Sequence, residues 1–109
     1  MAPWIVGSLE EEPTVILTRW CVYEIESATW HFVGHVGARN RGRVSSAIVT
    51  FDPITARGRT QSGRVYHLQG APGLNTEGAY AWELWCQINV VQSFVDVTED
   101  ILARTKSSH

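Results

Sequence analysis

Thr29-Trp30-His31-Phe32-Val33-Gly34-His35-Val36 alternates with a period of two. Trp30, Phe32, Gly34 and Val36 share one face, and Thr29, His31, Val33 and His35 share the other, which is the pattern of a β-strand. Upstream, Glu26-Ser27-Ala28 is a short polar break, and Thr14–Ile25 before it is rich in Val, Ile, Trp and Tyr. The two strands therefore read as a hairpin. Downstream, residues 37–42 form a loop with two glycines and Asn40, which tolerates positive φ. Arg43–Phe51 reads as a third strand: Val49 and Phe51 point one way, Val44 and Ile48 the other, as in a strand covered on both faces. Asp52-Pro53 opens a turn that Gly58 can close, and Arg59–Leu68 is a fourth strand with Gly63 as a bulge. Breaks this short favour an antiparallel meander.

Gly70-Ala71-Pro72-Gly73 ends the strand pattern, and Asn75 or Thr76 can cap a helix reaching about Asn89. On that helix Leu84, Ile88, Ala81, Trp85, Trp82 and Cys86 form an apolar arc of roughly 200°. Leu84, Trp85 and Ile88 at its centre are expected against the sheet with Trp30 or Phe32. So wide an arc also requires something to cover Trp82 and Cys86. Val90–Val95 suits a short edge strand, and Asp96 with Glu99 has the form of a capping box. Ile101 and Leu102 would anchor a short C-terminal helix, with Arg104 and Lys106 at its carboxyl end and residues 107–109 fraying. The expected fold is α+β and a single domain over residues 1–109: an antiparallel meander of four to five strands, one main helix across a face and a short C-terminal helix.

With 109 residues, 44% apolar and 18% charged, the chain can bury roughly 65% of its unfolded surface in one core. No apolar run approaches the ~20 residues that span a bilayer, so no membrane partner is expected. Met1–Gly7, followed by Glu10-Glu11-Glu12, has no basic segment leading a long apolar one, which argues against a signal peptide. Cys21 and Cys86 form no Cys-x-x-Cys pair; two buried free thiols in the cytoplasm are favoured over a disulfide.

Charge is distributed unevenly. Six of the eight arginines (Arg39, Arg41, Arg43, Arg57, Arg59 and Arg64) lie within 26 residues that contain one acid, Asp52. Eight arginines against one lysine also fit a codon-usage bias, which weakens any argument from their number. A meander puts Arg39, Arg41 and Arg43 at one end of the sheet, Arg57 and Arg59 at the other and Arg64 between. Glu24 and Glu26 then fall beside Arg57 and Arg59, and Glu10–Glu12 near Arg39 and Arg41. Surface pairs worth about 0–1 kcal/mol each are favoured over a nucleic-acid site. A pI of 6.0 without a recognition motif argues against a nucleic-acid partner.

Few residues invite chemistry. A strand holds His31 and His35 about 13 Å apart, too far to share one zinc ion, so no metal is expected. His67 is the candidate general acid or base, but no orienting carboxylate or nucleophile is identifiable for it. Cys86 on the apolar arc reads as an inert thiol. Gly70, Gly73 and Gly78 straddle a helix start without matching a phosphate-binding fingerprint. The reading is a small non-catalytic interaction module without a cofactor, homodimeric through a contact centred on Trp82. The alternative is a protein binding a small apolar or aromatic ligand in a pocket lined by some of Trp30, Phe32, Tyr66, His67, Trp82 and Trp85. An enzyme using His67 is third.

Overall fold

The computed structural model describes residues 14–107, with side chains as far as Ala103. The expectations for Glu10–Glu12 and for the last two residues lie outside the described ones, as do those for the side chains of Arg104 and Lys106. Seven strands and two helices follow in order: β1 (Thr14–Ile25), β2 (Trp30–Val36), a 3-10 turn (Gly37–Arg39), β3 (Arg41–Val44), β4 (Ile48–Asp52), β5 (Arg57–Thr60), β6 (Val65–Gln69), α1 (Thr76–Ile88), β7 (Phe94–Asp96) and α2 (Thr98–Ser107). The class is α+β with one main and one short C-terminal helix, as expected. The sheet, however, is mixed and seven-stranded rather than an antiparallel meander of four or five. Its order is β3-β2-β1-β6-β5-β4, with β7 also paired to β1, and β1 runs parallel to β6.

Ser45, Ser46 and Ala47 account for the difference. The Ser45 hydroxyl accepts the Phe32 amide at 2.8 Å and donates to the Ser46 carbonyl at 2.7 Å, so a side chain takes over the ladder and β3 ends at Val44. The expected third strand thus divides into β3 and β4, which stand at opposite edges of the strand order. Three residues join them, and four Cα steps reach at most about 14 Å. The sheet must therefore roll until its edges approach. The linker itself continues the β4–β5 ladder past Ile48 and Thr60, with the Gln61 amide on the Ala47 carbonyl (2.9 Å) and the Ser62 amide on the Ser46 hydroxyl (3.1 Å). The expected fourth strand also divides. Gly63 (φ 89°) sits in a tight turn closed by the Thr60 amide on the Arg64 carbonyl, not in a bulge.

Rolling creates two unlike faces. Val15, Leu17, Val22, Phe32, Val36, Tyr66 and Leu68 fill the concave interior, joined by Val97 and Ile101 at the start of α2. Phe32 lies 5.9 Å from Phe51 on β4 and 5.6 Å from Tyr66 on β6, contacts between strands that do not neighbour each other in the sheet. The convex side of β2 and β3 carries α1, with Cys21, Val33, Val44, Ala81 and Trp82 as a second core. The Asn75 side chain caps this helix, accepting the Gly78 amide at 2.9 Å. The approach is close because Gly42 has no side chain: a Cβ there would run into the Glu77 carbonyl.

The helix is rotated relative to expectation. Its buried residues are Gly78, Ala81 and Trp82, while Leu84 and Trp85 are half-buried and Ile88 is 64% exposed. Trp30 and Phe32 cannot meet it, because strand alternation sends them to the concave face and presents Val33 to α1.

A bulge at Arg19 (φ 47°) divides β1 in two. Its first half pairs with β6 and its last three residues with β7. Between them the Trp20 carbonyl accepts the Gly73 amide, and Val22 bonds through both backbone groups to Val97 and the Thr98 hydroxyl. The parallel β1–β6 pairing also reverses the arginine geography. Arg57 and Arg59 fall level with Ile16 and Thr14, at the opposite end of β1 from Glu24. Glu26 instead accepts the Gln92 and Ser93 amides at 2.8 and 3.4 Å. Arg43 departs furthest from the expectation of exposed surface: it is 4% exposed.

Candidate functional site

α1 spans 13 residues, about 20 Å. Trp85 lies 4.7 Å from His31 at the start of β2, and Ile88 follows almost one turn further along the helix. The chain leaves the helix through Val90 (φ 52°) and returns as β7, which puts Phe94 opposite Ile25 and Val95 opposite Glu24. Ile88, Val90, Phe94 and Val95 are 64%, 68%, 47% and 57% exposed. All four stand near one end of the molecule, but Phe94 faces the helix side of β7 with Tyr23, whereas Val95, the next strand residue, faces the other side with Glu24. Among the described strands β7 pairs with β1 alone, so this end also presents a short strand edge.

Beneath it lies an aromatic stack. Trp82 packs nearly parallel to Trp85 at 5.4 Å and edge-on to Phe94 at 5.1 Å, and Tyr23 sits 4.8 Å from both Trp82 and Phe94. Tyr23 and Phe94 are thus the cover that the wide apolar arc of α1 required. The Trp82 indole N–H is buried without a hydrogen-bond partner among the described residues.

The titratable groups here are held neutral. Burial pushes the Cys21 thiol up to about 11, against a hydrogen bond from Tyr23 that lowers it. Burial likewise raises Tyr23 and Cys86 above their ordinary values, with neighbouring Cys21 adding to the first and the Glu26 charge to the second. Burial lowers His31; its Nδ1 donates to the Ser45 carbonyl at 2.9 Å and its Nε2 accepts from the Thr29 hydroxyl at 2.8 Å. A thiol raised in this way is mostly protonated at neutral pH, the form that is not nucleophilic.

The six side chains of the expected aromatic pocket do not share one place. Phe32 and Tyr66 are buried in the concave interior, with Trp30 partly buried against the same core. Trp82 and Trp85 belong to the convex core under α1. His67 is half-buried on the outward face of β6, between Ile16 and Arg57 in register. His31 and His35 have separate partners, His35 donating to Asn40 Oδ1 at 2.9 Å. Trp82, the expected centre of a self-contact, is 4% exposed and forms the floor under Phe94.

Arg43 is the residue that sequence reasoning missed. Its Nε donates to the Tyr66 hydroxyl at 2.8 Å, its guanidinium carbon lies 5.4 Å from the Tyr66 ring centre, and its Nη1 is buried without a partner among the described residues. The signal was the alternation of Gly42-Arg43-Val44. With Val44 turned toward the helix, Arg43 must turn toward the interior. No known family, curated protein or solved structure matches this chain.

Proposed function

We propose that this protein is a non-catalytic interaction module that forms a homodimer through the end of the molecule built from α1 and β7. The observation that carries the reading is the presence of four exposed apolar side chains, Ile88, Val90, Phe94 and Val95, near one strand edge. Apolar surface gathered beside an open edge is a recurrent mark of association. Two copies meeting there form a symmetric contact in which each Phe94 packs against the other copy. Free thiols at Cys21 and Cys86 support a cytoplasmic setting.

Sedimentation velocity of the wild type and of Phe94→Glu tests the proposal. The expected result is a wild-type dimer burying on the order of 1,000 Å² or more, and a Phe94→Glu monomer with an unchanged circular dichroism spectrum. A wild type that remains monomeric at several hundred micromolar overturns it.

A further inference from the structure

Arg57 and Arg59 face outward on β5, and the strand register fixes what stands beside them. Arg59 is level with Val65 and, through it, with Thr14; Arg57 is level with His67 and Ile16. Val15, Gly58 and Tyr66, which alternate with these residues, are buried, so the six side chains share one outer face of the sheet. α1 packs on β2 and β3 and α2 against β1, and both arginines are exposed. The acids expected beside them, Glu24 and Glu26, belong to the other end of β1. Among the described residues neither arginine has an ion pair. The one acid in register with them, Asp52 on β4, accepts the Ile54 amide at 3.0 Å.

Two guanidinium groups on alternate residues of a strand start about 7 Å apart. Alternate side chains of any extended chain repeat at the same interval. A strand-like segment with carboxylates two residues apart can therefore offer one to each arginine, in the bidentate pairing that guanidinium favours. Single-stranded nucleic acid needs aromatic platforms for its bases, and these rows hold no Phe, Tyr or Trp. Ile16 and Val65 instead set the arginines in partly apolar surroundings, as in a protein–protein contact rather than along a phosphate backbone. We propose that this face binds an extended acidic segment of a partner protein, with carboxylates at alternate positions on Arg57 and Arg59. It lies toward the opposite end of β1 from the self-association surface, so either can fail without the other.

A fluorescein-labelled Glu-Val-Glu-Val-Glu peptide is the probe, with Gln-Val-Gln-Val-Gln as the uncharged control and oligothymidylate as the nucleic-acid control, read by anisotropy and by the His67 imidazole resonances. The acidic peptide is expected to bind saturably and to shift His67, and the glutamine peptide to bind about tenfold more weakly. Arg57→Gln and Arg59→Gln should each weaken the acidic peptide by about tenfold, with unfolding midpoints close to wild type because both side chains are exposed. Absent or unsaturable binding, an unmoved His67, equal binding of the glutamine peptide, undiminished binding in either variant, or tighter binding of oligothymidylate overturns the proposal.

Discussion

His31 shows how one residue's environment sets a measurable property. It is 4% exposed, bonded through both ring nitrogens and tilted against Trp85, and burial lowers its proton affinity. In the unfolded chain the imidazole protonates near pH 6.5; in the folded protein it stays neutral to lower pH. The unfolded state therefore binds more protons below neutrality. The stability this residue contributes is complete above about pH 7 and is lost as the pH falls through 6.5 toward the lower folded value. Urea midpoints at pH 7.5 and 5.5 should differ in the wild type and differ less in His31→Gln. An equal pH dependence in the two proteins would show that His31 titrates normally. Glu26, lowered chiefly by the Gln92 amide, loses its contribution below the ordinary carboxylate range, in a separate window.

Among the elements, α1 depends most on a single missing side chain. The Asn75 cap and the apolar period made its limits readable, but its distance from the sheet rests on Gly42. A Cβ at Gly42 meets the Glu77 backbone, which cannot swing aside as a side-chain tip could, whereas one at Gly37 meets nothing within 4 Å. Gly42→Ala should therefore destabilise the protein by about 1–3 kcal/mol through overpacking, and Gly37→Ala should lie within about 0.5 kcal/mol of wild type, as surface changes do. Chemical denaturation of the pair checks this, since equal midpoints would mean that α1 shifts without cost. The same close seating turns Trp82 inward and leaves Ile88 exposed. Rotation of a helix about its axis depends on the shape of what it meets, and a 200° arc permits several rotations.

At the scale of the whole molecule, Phe32 spans the rolled sheet, touching Phe51 and Tyr66 across the interior. Phe32→Ala should cost about 3–5 kcal/mol, and its hydrogen exchange should quicken in β4 and β6 as well as in β2 and β1. Loss of protection confined to β2 would mean that the two sides of the roll are independent. Whereas the strand expected over Val90–Val95 forms only at Phe94–Asp96, the sequence by itself determined the α+β class, the full extent of β1, the start and cap of α1 and the anchoring of α2 by Ile101 and Leu102. These follow from local period, capping and propensity, which act over a few residues. Tertiary structure alone decided that β1 pairs in parallel with β6, that Ser45–Ala47 split a strand, that both arginine groups lie toward the start of β1, and that Arg43 points inward. Each depends on which distant segments meet. A strand's alternation shows that it has two faces but not which neighbour adjoins either edge, and only the closure of the roll brought the Arg43 side chain of β3 to the Tyr66 hydroxyl of β6.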